Sequence, residues 1–249
     1  MQYNEGQGDV WQFWGTFFWG IMILFVFNIG QMLPLVAYML YQGLELTEAS
    51  FNQFFANVEK DSFLLFLSAM GGMVFTVPFV LGIAKLKKGS ILKEYFSLNG
   101  FTAKTLGFSV LVFILLYIAI GLLIEAMGAK EIPDFMMNLE YPSLWTKIAL
   151  LIAVVVAAPI VEEVVFRGFL LKGFSQTFMG IHGAVFVTSA LWAVIHLQYE
   201  MVYMLMIFLI GLVFSYARIQ TNSLYIPILM HSLMNLFAML GLFYEKGVI

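Results

Sequence analysis

Long apolar runs alternate with short polar connections along the whole chain. Few charged side chains interrupt these runs, which cover about residues 14–41, 62–85, 104–127, 144–172, 178–197, 200–219 and 224–243. Since a membrane-crossing helix needs about 20 consecutive apolar residues, each run is predicted to be a membrane helix. The first and fourth runs are longer than one crossing requires, so the pattern predicts seven spans and leaves eight open.

The two longest polar connections are acidic and mildly amphipathic. Residues 42–61 and 128–142 carry seven of the 11 Asp and Glu residues that precede residue 144, interleaved with aromatic and aliphatic side chains. This mixture is typical of segments that lie at the membrane surface. We expect surface loops with short interfacial helices in both connections.

Composition supports a membrane protein. The chain has 249 residues, of which 62% are hydrophobic and 11% charged, whereas soluble domains have about 45–50% apolar and about 25% charged residues. The predicted fold class is therefore all-α, a polytopic transmembrane helix bundle within the lipid bilayer. The net charge of −3 and the scattered Lys and Arg offer no basic patch, which excludes nucleic acid as a partner. Cysteine is absent, which excludes thiolate nucleophiles and cysteine-based metal sites.

The distribution of positive charge predicts an orientation. Eight of the 12 Lys and Arg residues fall on one side of the membrane if the spans alternate: Lys85, Lys87, Lys88, Lys93, Lys104, Arg167, Lys172 and Arg218. Cytoplasmic connections carry an excess of such residues. The N-terminus is therefore predicted to be cytoplasmic.

Ionisable residues inside the spans concentrate in the C-terminal half. The fourth run contains Glu162, Glu163 and Arg167, and a charge near a helix centre costs about 2.5–3.5 kcal/mol on insertion scales. Glu163 and Arg167 are i,i+4 neighbours and are predicted to form a salt bridge. Glu162 points about 100° away from Glu163, so it needs another partner or a water-filled cavity.

Two histidines on later spans complete a plausible hydrolytic site. His196 follows Trp192 by four residues and His231 precedes Asn235 by four, so each pair shares one helix face. A carboxylate near imidazoles is the arrangement that a general base for water requires. By contrast, Asn28 and Gln31 in the first run are predicted to form interhelical hydrogen bonds.

These motifs resemble the CAAX-processing and bacteriocin-processing (Abi, CPBP) family of intramembrane proteases. The residues that carry the resemblance are, in order, Glu162, Glu163 and Arg167, then Trp192 and His196, then His231 and Asn235. It divides the chain into N-terminal helices, residues 1–143, and a catalytic core, residues 144–243, of one membrane domain. The family usually has Phe where this chain has Trp192, which predicts a changed pocket wall and unchanged chemistry.

The resemblance implies an intramembrane endopeptidase in a bacterial cell membrane. Its substrate would be a peptide or a membrane protein. By the family's pattern, Glu162 and His196 would activate the attacking water, and His231 and Asn235 would stabilise the oxyanion. Glu163 and Arg167 would orient the site.

Two alternatives stay open. The same site could be metal-dependent, with Zn²⁺ bound by Glu162, His196 and His231 and an open fourth position for water. The chain could instead be a non-catalytic regulator or immunity protein, or an ion-coupled carrier that uses Glu162. The sequence contains neither the HExxH pattern of zinc proteases nor a GxSxG serine elbow.

Overall fold

The structure is a computed structural model that describes residues 10–58, 60–128 and 132–248. The predicted cytoplasmic N-terminus, residues 1–9, lies outside the described residues. The described part is an all-α bundle of long, apolar helices, which confirms the predicted fold class of a polytopic, multi-pass membrane protein.

Helix bounds agree with the apolar runs to within a few residues. The described helices are α1 (Phe13–Tyr41), α2 (Glu48–Val58), α3 (Ser62–Leu86), α4 (Leu92–Tyr95), α5 (Ala103–Ala126), α6 (Asp134–Met137), α7 (Leu144–Ser175), α8 (Gly180–Val194), α9 (Met201–Thr221) and α10 (Tyr225–Glu245). Among them, six are long and apolar enough to cross a membrane. The apolar helix α8 has 15 residues and is about 22 Å long, less than the roughly 30 Å hydrocarbon core. The count therefore fits about seven spans.

Short helices occur in both acidic connections, as predicted. In residues 42–61, α2 packs its aromatic face on α1 and α3, where Phe54 joins Leu35, Met39 and Leu64 in a small apolar cluster. Asp61 caps the N-terminus of α3, where its carboxylate accepts hydrogen bonds from two backbone N–H groups of the first turn. In residues 128–142, α6 forms a single turn.

Two glycines allow α1 and α3 to pack with their backbones in close contact. A Cβ atom added to Gly71 would lie 2.2 Å from the carbonyl oxygen of Gly30, and one added to Gly30 would lie 3.0 Å from the carbonyl oxygen of Gly71. Small residues at such crossings are typical of membrane helices. This packing uses one edge of α1 and leaves another edge facing α7 and α8.

Helix α7 is irregular around the predicted charged site. Residues Ile152–Ala157 and Val164–Leu170 are π-helical, with i→i−5 hydrogen bonds such as that from Ala158 N–H to the Ala153 carbonyl. Continued by one residue, this pattern would require an N–H from Pro159 to the Val154 carbonyl, which proline lacks. The side-chain amide of Asn235 on α10 donates to the Val154 carbonyl instead, at 2.7 Å. The proline therefore frees a backbone acceptor that joins α7 to α10.

The start of α10 is held by the connection between α4 and α5. Ser97 and Asn222 are the non-glycine residues with positive φ among those described, and the Ser97 hydroxyl donates to the Asn222 side chain at 2.8 Å. The Leu224 N–H also donates to the Ser97 carbonyl, at 3.0 Å. These bonds join distant connections and set where α10 enters the bundle.

Candidate active site

The ion pair predicted from spacing is present at the centre of the bundle. Both side chains are fully buried, and Arg167 Nη1 donates to Glu163 Oε1 at 3.0 Å. The other guanidinium nitrogen, Nη2, donates to the Gly211 carbonyl on α9 at 3.3 Å. The guanidinium also lies 4.3 Å from the ring centre of Trp192 on α8, a cation–π contact. Arg167 therefore connects α7 to α8 and to α9.

Glu163 also orients the histidine of α10. Its Oε1 lies 2.9 Å from Nδ1 of His231, which is 2% exposed. An ionised carboxylate only accepts hydrogen bonds, so Nδ1 of His231 carries the hydrogen and donates. The opposite nitrogen, Nε2, then faces Glu162, whose Oε2 is 4.0 Å away.

Glu162 has a different environment from Glu163, as its position on the helix predicts. Its Oε2 accepts a hydrogen bond from the indole N–H of Trp192, and the side chain is 16% exposed. That exposed part faces a cavity that Glu162 lines. The expectation that Glu162 has its own partner and borders a cavity is therefore confirmed.

His196 presents one nitrogen as an acceptor. Its Nδ1 lies 2.7 Å from the backbone carbonyl oxygen of Trp192, which cannot donate, so Nδ1 carries the hydrogen. In the neutral imidazole the lone pair is then on Nε2. His196 lines the same cavity as Glu162. The structure thus brings the two predicted water-activating residues to one space.

The cavity lies between α1, α7 and α8 and has a volume of about 670 Å³. Most of its wall is aliphatic or aromatic, and the polar side chains that line it are Asn28, Gln31, Glu162, His196 and Gln198. Pockets of about 300–1,000 Å³ with a few polar groups are typical of ligand sites. The Glu162 carboxylate therefore borders a space large enough for a peptide segment.

His231 and Asn235 approach the site from another side. Neither lines the cavity. His231 reaches Glu162 from α10, and the Asn235 amide donates one hydrogen to the Val154 carbonyl. Because an amide nitrogen carries two hydrogens, a second donor remains on Asn235.

The three residues considered as zinc ligands do not form a ready-made metal-binding group in this structure. The described residues, which include Glu162, His196 and His231, contain no group of three or more His, Asp or Glu side chains that could hold a metal ion. His231 Nδ1 and His196 Nδ1 are both engaged, with Glu163 and with a backbone carbonyl. These bonds engage Nδ1 and not Nε2 of either histidine, so the three-ligand zinc set stays a prediction, and no step of the proposed mechanism runs through a metal.

The prediction of interhelical hydrogen bonds on α1 is wrong for Asn28. Its Nδ2 donates to the Leu24 carbonyl of the same helix, at 2.8 Å. Gln31 forms no side-chain hydrogen bond within the described part of the chain. Both side chains line the cavity that contains Glu162.

Trp192 has a larger part in the site than its sequence position indicated. We expected only a pocket wall, but the indole donates to Glu162, the ring supports Arg167, and its edge contacts both His196 and His231, with ring centres 5.5 and 5.2 Å away. The signal available in the sequence was the departure from the family's usual Phe, since only Trp adds an N–H donor at this position.

If the chain hydrolyses peptides, as the resemblance implies, replacing Trp192 with Phe is expected to lower kcat/KM for that hydrolysis about 10-fold or more. The change removes the indole hydrogen bond to Glu162, and a hydrogen bond to a charged group contributes about 1.5–3 kcal/mol. The aromatic contacts with Arg167 and the histidines would remain, so the free energy of unfolding should change less than the activity. Steady-state kinetics and thermal unfolding of purified protein measure the two effects. Unchanged kinetics would contradict a role for the indole donor.

Tyr199 is a further polar neighbour that sequence reasoning missed. It lies in the turn between α8 and α9, with its ring centre 5.9 Å from that of His196. Burial, together with the negative charge of Glu162, raises the pKa of Tyr199 to about 12. Its hydroxyl is therefore protonated at neutral pH. The turn follows the fifth apolar run, where no motif draws attention to it.

Comparison with known proteins found one family model and one curated protein that match parts of the chain. Residues 144–237 match the family model described as type II CAAX prenyl endopeptidase Rce1-like. A curated Escherichia coli protein described as an uncharacterized 24.3 kDa protein is 32% identical over 118 residues, 46% of this chain and 54% of that protein. The chain thus spans about half the length of the curated relative it matches. No solved structure matches the chain.

The family match confirms the resemblance found in the motifs. The match covers less than half of the chain. The matched segment contains Glu162, His196, His231 and Asn235, and it begins at the first residue of α7. Helix α1, which forms one wall of the cavity, lies outside it.

Proposed function

We propose that the chain is an intramembrane endopeptidase that hydrolyses a peptide bond in a peptide or membrane-protein substrate. The observation that carries the proposal is the shared cavity of Glu162 and His196. A carboxylate oxygen and an imidazole nitrogen with an available lone pair there border one substrate-sized space, beside a buried ion pair. This is the set of groups that water activation requires.

In the proposed first step, Glu162 and Nε2 of His196 accept hydrogen bonds from one water molecule. Glu162 takes the proton as the water oxygen bonds to the scissile carbonyl carbon. The indole of Trp192 supports the carboxylate by keeping one oxygen in place. His196 keeps its accepting nitrogen toward the water because its other nitrogen is held by a backbone carbonyl.

In the tetrahedral intermediate the carbonyl oxygen becomes an oxyanion. We assign its stabilisation to His231 in its imidazolium form, in which Nδ1–H donates to Glu163 and Nε2–H donates to the oxyanion, and to the second hydrogen of the Asn235 amide. A donor aimed at an oxyanion contributes about 10²–10³-fold in rate, since the surrounding dielectric is low. Collapse breaks the C–N bond, and the proton held by Glu162 moves to the leaving nitrogen.

Glu163 and Arg167 act as positioning residues. Glu163 Oε1 is shared between Arg167 Nη1 and His231 Nδ1, at 3.0 and 2.9 Å. The pair therefore fixes the direction of His231, whose Nδ1–H donates to Glu163, without contacting the cavity. Because it is fully buried, its geometry is maintained by packing on all sides.

The proposal is tested by comparing protein termini in membranes from cells that express wild type or His196→Gln at equal levels. We expect new termini only with wild type, because an amide oxygen is a far weaker base than an imidazole nitrogen and does not polarise the attacking water as Nε2 of His196 would. Phe186→Leu is the matched control, since Phe186 is 59% exposed on α8, the helix that precedes His196, and does not line the cavity. Identical termini in wild type and His196→Gln would contradict hydrolysis and favour the regulator.

A further inference from the structure

We infer that α1 is the substrate-binding wall of the cavity, where Asn28 and Gln31 pair with the backbone of an extended, apolar peptide segment. The inference rests on the proposed function, since the occupant is the substrate of that reaction. It concerns residues outside the segment 144–237 that matches the protease family. The supporting observations are the shape of the cavity, its lining and the unmet hydrogen-bonding capacity of the two amides.

The cavity runs along a large part of α1. Its lining on this helix extends from Phe17 to Gln31, which corresponds to about 21 Å at 1.5 Å per residue. An extended peptide advances about 3.3 Å per residue, so this length fits about six residues. The proportions are those of a strand-like segment lying parallel to the helix.

The walls of the cavity are apolar on both sides. On α1 they include Ile21 and Leu24, and on α8 they include Leu191 and Val194, all of them at least 42% exposed. Exposed aliphatic side chains on two helices that face the same cleft can contact aliphatic or aromatic side chains by van der Waals packing, which drives association of apolar surfaces in the bilayer. The occupant is therefore a segment with apolar side chains.

Asn28 and Gln31 interrupt this apolar wall. They are three residues apart and share one face of α1. Asn28 lines the cavity and uses one amide hydrogen within its own helix, so its carbonyl oxygen and second hydrogen have no partner within the described part of the chain. The stem of Gln31 packs against α3, where a Cβ added to Gly72 would lie 3.1 Å from Gln31 Cγ. This contact directs the amide but gives it no partner.

Side-chain amides without partners and the backbone of an extended peptide can satisfy each other's hydrogen bonds. Each residue of an extended peptide carries one N–H and one C=O that require partners away from water. A polar group that stays unpaired in an apolar environment costs about 1–3 kcal/mol by mutational data. Amides that both donate and accept, one helical turn apart, can bind the backbone of a segment without selecting its side chains.

The cleft connects this wall to the reactive groups. Glu162 and His196 line the same cavity as Asn28 and Gln31, and Gln198 adds a further amide beyond His196. A segment bound along α1 therefore presents one of its peptide bonds to Glu162. Contacts between the segment and α1 would hold this peptide bond in position for attack by water.

The test uses a photoreactive probe, an acetylated hexapeptide of Leu and Ala with one central benzophenone side chain, added to proteoliposomes of the Glu162→Gln protein. We expect saturable adducts on α1 within residues 21–31 and on α8 within residues 191–195. Asn28→Leu combined with Gln31→Met should lower saturable labelling about 10-fold, as expected for the loss of about two hydrogen bonds. Phe25→Leu is the control, since Phe25 is 58% exposed on α1 outside the cavity.

A second measurement does not depend on the folding of the double variant. Because the chain has no cysteine, Leu24→Cys and Phe25→Cys each introduce a single thiol. The hexapeptide should protect the cavity-lining position 24 from a lipid-soluble maleimide and leave position 25 unprotected. Equal modification of both thiols, or adducts spread over all lipid-facing side chains, would overturn the inference.

Failure of this inference is distinguishable from failure of the proposed function. Adduct formation and thiol protection require binding but no hydrolysis. Cleavage products in cells without labelling on α1 would retain the protease and reject this wall. Labelling on α1 without any cleavage product would retain the binding cleft and reject the protease.

Discussion

Replacing Glu162 with Gln is expected to lower kcat/KM for peptide hydrolysis by about 10²- to 10⁴-fold, the contribution of a general base. The amide has nearly the same shape and its oxygen can still accept from the indole of Trp192, so the site should keep its structure. It cannot take a proton from water, and the first step therefore loses its acceptor. The measurement is steady-state hydrolysis by purified protein in proteoliposomes, with a peptide spanning a cleavage site from the comparison of termini.

The matched control is Glu125→Gln. Glu125 lies in the last turn of α5, is exposed and does not line the cavity, so the same chemical change there should leave kcat/KM within about twofold, as for most surface substitutions. A Glu162→Gln protein that retained a tenth or more of the wild-type activity would show that another group accepts the proton.

The second large effect is expected from Arg167→Met. Removing one partner of a buried ion pair typically costs about 3–5 kcal/mol, because the remaining charge is left without compensation. Glu163 is fully buried and would keep only His231 as a polar partner within the described part of the chain. We expect the free energy of unfolding in detergent micelles to fall by this amount.

The double variant Glu163→Gln with Arg167→Met separates stability from activity. It removes both charges, and we expect it to recover most of the lost stability. Activity should stay low, since His231 Nδ1 then faces a neutral amide in place of a carboxylate. Full hydrolysis by the double variant would contradict the positioning role, and an Arg167→Met protein as stable as wild type would contradict the energetic argument.

The sequence alone determined the features that depend on local geometry. The apolar runs predicted the helices because a membrane span must reach across a hydrocarbon core of known thickness. The ion pair of Glu163 and Arg167 was predictable because helical periodicity brings residues four apart to one face, and the same periodicity separated Glu162 from Glu163. The order of the motifs on three late spans then indicated the protease family.

The tertiary structure alone decided which groups meet across helices. Helical periodicity specifies a face, but the distance between faces depends on how closely helices pack, as at Gly30 and Gly71. The indole bond of Trp192 to Glu162 and the absence of a three-ligand metal group among the described residues both follow from that packing. The packing also brings the Asn235 amide to the Val154 carbonyl, which the π-helical turn before Pro159 leaves without a backbone donor. It likewise places α1 beside the Glu162 carboxylate. Each depends on residues far apart in sequence, whose separations are set only when all the helices have packed.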